Sequence, residues 1–381
     1  MIFLDHAATS PVRREALEAM WPYLTGAFGN PSSRHRLGDE AARALAWARE
    51  TVATVTGARP GDVVFTSGGT EADNLAIKGI ALATPRGRHI VISPVEHEAV
   101  LETASYLERL HGFEISFAAV GDTGLVTADE LARVLRDDTT LVSVQLANNE
   151  VGTVQPIAEL AELAHEVGAR MHTDAVQAAG WLPLGLDELG VDALSLAGHK
   201  VGAPKGTGAL VARGRVPLEP VLHGGGQERG RRSGTENVAG AVAFATALQL
   251  AEAERAEASE RVGALGRELV AHVLREVPGA RLTGDPQSRL PGTASFVFPG
   301  AAGEPVLLEL ERDGVLSSSG SACAVGRDEP SHVLTAMGVP ADLAQTAVRF
   351  TLGRETTDDE IRMAADAVVR AVSAVRGIVA V

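Results

Sequence analysis

Short apolar, β-branched runs recur along the first 212 residues, at 62–66, 89–93, 114–120, 140–147, 170–175, 193–197 and 208–212. Helical patterns fill most gaps between them, for example Pro156 to Val167 with Ile157, Leu160, Leu163 and Ala164 on one stripe. Strands alternating with helices predict an α/β fold with a mostly parallel seven-stranded sheet covered by helices. In such sheets a ligand site lies at the carboxyl ends of the strands. Upstream, Ser10-Pro11 reads as an N-cap followed by proline at the first helical position, with Val12, Ala16, Met20 and Leu24 along the stripe. "GNPSSRHRLG" (29–38) reads as a loop, and a helix from about Asp39 to Thr56 is closed by Gly57. The alanine-, glutamate- and arginine-rich stretch 238–277 predicts one long connecting helix. Beyond it a smaller α/β unit is expected, with strands near 294–298 and 347–352 and helices near 304–313, 331–337 and 358–376. The chain is therefore divided into an N-terminal segment (1–15) packing with the small domain, a large domain (16–250) and a small C-terminal domain (251–381).

Composition narrows the function classes. The 381 residues are 45% hydrophobic and 22% charged, ordinary for a globular protein, and the formal net charge of −15 argues against direct binding to nucleic acid or anionic lipid. Arg229, Arg231 and Arg232 form the tightest basic cluster. The single cysteine, Cys323, rules out an internal disulfide. No signal peptide or membrane span is read in the sequence, and a cytoplasmic protein is expected. Of 34 basic residues only Lys78, Lys200 and Lys205 are lysines. A lysine kept in a conspicuous place points to a need for its amine, which arginine cannot supply.

Candidate chemistry gathers at strand ends. In "VVFTSGGTEADNLAIKG" (63–79) a strand runs through Gly69 and Thr70 into a helix, a setting that suits a phosphate; a capping box of Thr70 and Asp73 explains it equally well. Lys200 follows the strand 193–197 directly after His199, where its amine could bond covalently to an aldehyde cofactor; the alternative is a surface lysine. Asp174 ends another strand, where a carboxylate is costly unless paired. A pyridinium nitrogen would pair it, or it could cap a helix, and Gln177 could face the same cavity. His97, just past a third strand, could stack on a flat cofactor or move protons. A zinc reading of its neighbour Glu98 fails, because HExxH is absent and Cys323 has no CxxC partner. Asn148 and Asn149 stand at a fourth strand end. Arg349, inside an apolar strand, wants a carboxylate, either a structural acid or a substrate. Together these signals describe an enzyme that uses pyridoxal 5'-phosphate on an amino acid.

The chain resembles the cysteine desulfurases of the NifS/IscS type, within the class V aminotransferases of fold-type I. The resemblance runs nearly end to end through "LDHAATSPV", "GNPSSRH", "FTSGGTEADNLAIKG", "EHEAV", "NNEVGTVQPI", "HTDAVQ", "AGHK", "HGGGQERGRRSGTENV", "SSGSAC" and "RFTLGRETT". It implies that Lys200 carries the cofactor covalently, Asp174 pairs with the ring nitrogen, Gln177 bonds the phenolic oxygen, and His97 stacks on the ring. Gly69, Thr70 and His199 would hold the phosphate, with Thr235 reaching the site of a second subunit in a homodimer. Asn149 and Arg349 would hold the substrate carboxylate. Cys323 would take sulfur from L-cysteine as a persulfide and pass it to a protein acceptor, for iron–sulfur clusters, thio-tRNA or other products. Two departures stand out. Many relatives have serine where Ala197 stands, and the segment after Cys323 carries Arg327-Asp328-Glu329 where relatives are Ser/Thr-rich. The rival readings are a selenocysteine or cysteine sulfinate lyase, a plain aminotransferase, and a non-catalytic sulfur-transfer scaffold.

Overall fold

The computed structural model describes residues 1–83, 85–319 and 330–379. The chain opens with β1 (Ile2–Phe3), α1 (Arg14–Leu24) and α2 (Arg36–Val55). There follow β2 (Val63–Thr66), α3 (Gly69–Ala83), β3 (His89–Ile92), α4 (Glu98–His111), β4 (Glu114–Phe117) and α5 (Ala128–Val134). Next come β5 (Thr139–Ser143), α6 (Ile157–Glu166), β6 (Arg170–Asp174), α7 (Leu186–Leu189), β7 (Ala193–Ala197) and β8 (Gly208–Ala212). The 39-residue α8 (Val238–Glu276) leads into β9 (Arg281–Leu282), β10 (Thr293–Val297), α9 (Gly303–Arg312) and β11 (Val315–Leu316). The chain then runs through α10 (His332–Ala336), α11 (Ala341–Ala344), β12 (Ala347–Thr351) and α12 (Asp358–Val379).

All seven runs expected in the first 212 residues form strands, in the order β2-β8-β7-β6-β5-β3-β4. Only β8 runs antiparallel to its neighbours; the remaining pairs are parallel. The central strands β5 to β8 are covered on both faces, which is why they read as nearly unbroken apolar runs rather than alternating ones. The carboxyl ends of β2, β3, β5, β6 and β7 therefore point the same way. That shared direction is what brings the candidate residues together.

Two helix starts differ from the sequence expectation. The helix α1 begins at Arg14, and Ser10 does not cap it. Ser10 N instead donates to His199 O (3.0 Å) and Arg13 N to Gly202 O (2.8 Å). The segment 10–13 stays extended because it pairs with the turn after β7. The helix α2 starts at Arg36, inside the stretch read as a loop, because His35 Nδ1 accepts from Gly38 N at 3.2 Å and caps it. It stops where expected, at Gly57 with φ +63°.

The C-terminal region contains a three-stranded antiparallel sheet in the order β12-β10-β9. The helices α9 and α12 pack beside it. β9 and α11 escaped notice in the sequence because they are only two and four residues long. The N-terminal strand β1 pairs in parallel with β11. Ile2 and Leu4 are buried with Phe296, Phe350 and Val368. The helix α8 joins two cores: residues 238–251 pack into the core under the large sheet, and Val262, Leu265, Leu269 and Val273 into the C-terminal one. Among the described residues no helix is long and apolar enough to cross a membrane.

Candidate active site

The strand ends open into a cavity of about 430 Å³. Gly69, Thr70, His97, Asn149, Asp174, Gln177, His199, Lys200 and Arg349 all line it. Thr235 does not; it lines a smaller hollow of about 180 Å³ with Ser67, Arg232 and Glu236. Cys323 lies outside the described residues. The arginine cluster is spent internally: Arg232 pairs with Glu71 (2.8 Å), Arg229 donates to Val63 O (2.7 Å) and Arg231 to Gly61 O (3.3 Å).

The strand β7 ends at Ala197, and one tight turn carries His199 and Lys200 to the cavity edge. Lys200 Nζ donates to Ala7 O and to Ala8 O, and Gln177 Nε2 donates to Ala7 O at 3.0 Å. The N-terminal segment thus folds over the lysine. Burial, then the charges of Lys200 and Lys205, push the His199 imidazole down to about 4, so it is neutral near pH 7. Its Nδ1 lies 3.3 Å from Thr9 Oγ1.

Asp174 ends β6 and is buried, with Oδ1 accepting from Val176 N at 2.8 Å. No helix begins there, so the capping alternative falls away. Burial raises its pKa, while His97, the Val176 amide and Lys200 pull it back. Among the described residues it makes no ion pair within 4.0 Å, so a cation bound against it would be favoured. His97 caps α4, its Nδ1 accepting from Ala99 N at 3.0 Å. That bond places the proton of the neutral ring on Nε2.

The helix α3 begins at Gly69, so Thr70 lies inside its first turn and the Thr70–Asp73 capping box does not form. The start is tied instead by Glu71, whose Oε2 accepts from Ser67 N at 2.8 Å. The first-turn amides have no acceptors within the helix, which suits an anion. A Cβ at Gly69 would lie 2.8 Å from Val176 Cγ2 and 3.4 Å from Ala197 Cβ, so only glycine fits there.

Sequence reasoning missed a buried polar layer behind this wall. Asp73 is 1% exposed and 3.8 Å from His172 Nε2. His172 is bonded to Ser143 Oγ (2.8 Å) and Ser195 Oγ (2.9 Å), and burial pushes it down to about 3. Glu96 is fully buried; Oε1 accepts from Gln145 N at 2.8 Å, while Oε2 has no partner among the described residues. Burial raises both Asp73 and Glu96 well above the ordinary carboxyl range, and the charge of Asp174 adds to each. Of the three acids, only Asp174 is also pulled down by neighbouring charges, those of His97 and Lys200. Glu96 O also meets His332 Nε2 at 3.0 Å, and His332 lines the cavity. No periodicity marks these residues; adjacency of Glu96 to His97 was the one available signal.

Opposite the strand ends, β12 supplies Arg349, whose side chain is 2% exposed. Nη1 donates to Asn149 O (2.7 Å) and Nη2 to Asp5 Oδ1 (2.8 Å). The structural acid that the sequence left open is therefore Asp5. Asn149 Oδ1 is buried without a partner among the described residues.

A covalent-capable amine, a buried carboxylate without an ion pair among the described residues and an anion-binding helix start share one cavity. This is the layout of a fold-type I pyridoxal-phosphate enzyme. Residues 2–363 match the family model for class-V aminotransferases, and the chain belongs to that family. Pyridoxal phosphate is its cofactor. The chain is 46% identical over 378 residues to the cysteine desulfurase IscS of Dictyoglomus turgidum, covering 99% of this chain and 96% of the relative. It is 45% identical to an IscS-like cysteine desulfurase of Mycobacterium tuberculosis, covering 99% and 97%. Among solved structures, a NifS-like protein superposes with a TM-score of 0.91 at 37% identity, covering 98% of this chain and 99% of that one. SspA in complex with cysteine superposes with a TM-score of 0.81 at 33% identity, covering 94% and 100%.

Proposed function

We propose that this chain is a cysteine desulfurase that converts L-cysteine to L-alanine and retains the sulfur as a persulfide on Cys323. The observation that carries the reading is the meeting of Lys200, Asp174 and Arg349 on one cavity. It joins a cofactor site to a carboxylate site in one cavity. Bound there, pyridoxal phosphate supplies an aldehyde for the substrate amine and a ring that withdraws electrons.

The chain's own residues do the rest. Lys200 would hold the cofactor covalently through its amine. Asp174 keeps a proton on the ring nitrogen. Gln177 would hold the phenolic oxygen of the ring, and His97, with Nδ1 committed to Ala99 N, would stack on the ring and have Nε2 available for proton transfer. Gly69, Thr70 and His199 take the phosphate. Asn149 and Arg349 hold the substrate carboxylate. The Cys323 thiolate bonds to the substrate sulfur as the carbon–sulfur bond breaks; the electron pair goes to the substrate carbon, a proton follows, and alanine leaves. Thr235 lies away from its own chain's cavity, which supports a homodimer in which it serves the partner's phosphate. The sulfur then passes to a protein acceptor in the cytoplasm, for iron–sulfur cluster assembly or thiolated products.

The test is intact-mass and peptide analysis after brief exposure to L-cysteine. One added sulfur on Cys323, removed by reductant and matched by alanine, is expected. Cysteine consumed with Cys323 unmodified would overturn the nucleophile and favour a lyase acting on selenocysteine or cysteine sulfinate.

A further inference from the structure

Asp5 belongs to none of the roles above, yet it touches the residue that would meet the substrate carboxylate. Its backbone is pinned: Leu4 N donates to Leu316 O (2.8 Å), His6 N to Thr351 O (3.2 Å), and Asp5 itself bridges Thr351. Its carboxylate is thereby held on Arg349 Nη2 at 2.8 Å. Nη1 is committed to Asn149 O, and Nε is buried without a partner among the described residues. A guanidinium offers five N–H donors in a fixed plane. Here two are used, the plane is set from both sides, and a carboxylate already offsets the charge.

We infer that Asp5 is a positioning residue that fixes the plane of Arg349 and holds down its affinity for carboxylates, so that product can leave. This rests on the reading that Arg349 binds the substrate carboxylate. The product alanine keeps the carboxylate that cysteine brought. A grip that is equally tight on both lowers KM but slows release. With its charge already offset, Arg349 selects by fork geometry more than by net attraction.

The experiment titrates the holoenzyme with L-alanine, followed by the change in cofactor absorption, alongside steady-state turnover of L-cysteine. Asp5→Asn and Asp5→Ser remove the charge; Asp5→Glu keeps it. The neutral variants are expected to bind L-alanine about fivefold to tenfold tighter. KM for cysteine should fall with no gain in kcat, and Asp5→Glu should stay within about twofold of the parent. Unchanged or weaker alanine binding in the neutral variants overturns the inference, since a purely structural Asp5 predicts that. Failure of both neutral variants to fold overturns it as well. Arg349→Lys separates the two layers: if alanine binding is unmoved by that change, the carboxylate assignment of Arg349 itself has failed.

Discussion

The two walls of the cavity are built on different principles. On the cofactor wall, Asp174, His199 and Lys200 each sit within three residues of a strand end, and Gly69 opens the helix after β2. Their placement follows from the register of one parallel sheet. On the opposite wall, Arg349 meets Asp5 across 344 residues of sequence and Asn149 across 200. That wall exists only when the C-terminal sheet, the N-terminal segment and the turn after β5 have all docked. A sheet end is a local product of strand order, whereas the Arg349–Asp5–Asn149 contact is a product of long-range closure. Damage to the first should abolish chemistry with the fold intact. Damage to the second should weaken substrate binding with the cofactor in place.

The sharpest separation comes from Lys200→Ala. Alanine formation from cysteine should drop by on the order of a thousandfold or more, with the secondary-structure content unchanged. A variant that keeps a tenth of its turnover would remove Lys200 from the chemistry. On the other wall, Arg349→Leu should raise KM by about tenfold to a hundredfold, the worth of a lost charge-assisted pair, while cofactor absorption stays. Loss of the cofactor in that variant would show that the walls do not act separately.

The buried acids behind the cofactor wall make a pH prediction. Burial raises the Glu96 carboxyl in the folded chain well above the value near 4.5 that it has when unfolded. The unfolded state therefore binds fewer protons, and this contribution to stability is present below 4.5 and lost as pH rises toward the raised folded value. The groups facing Glu96 are Gln145, His332 and Asp174. Glu96→Gln should flatten the stability profile above pH 4.5 by up to about 1.4 kcal/mol per pH unit, read by denaturant titration at successive pH values. An unchanged slope would mean that Glu96 is ionised in the native protein. The smallest effect is expected from Ala197→Ser, which adds a hydroxyl at the end of β7. Cofactor affinity should improve by about tenfold at most, measured by equilibrium dialysis. No change would show that the hydroxyl finds no phosphate oxygen here.

Much of the first wall was legible because its signals are local. A strand run, a glycine, a lysine in a chain nearly free of lysine and an aspartate at a strand terminus can each be seen within a short window. Local reading also misfired where a distant partner intervened. Ser10 has the look of a cap but is taken by the turn at 199–202, and Asp73 has the look of a capping acid but is buried against His172. Glu96 was invisible because burial of a single acid leaves no periodic trace, and Asp5 because its partner stands at the far end of the chain.

The sequence by itself determined the strand order's raw material, the long helix over 238–276 and the candidate residues at the strand ends, since each depends on hydrophobic period or on chemistry at a strand end. Only the tertiary structure decided which acid holds Arg349, which carboxyls lie buried beside Asp174 and why Thr235 stands outside its own cavity. Those are facts of packing between segments hundreds of residues apart, and neither periodicity nor composition carries that information.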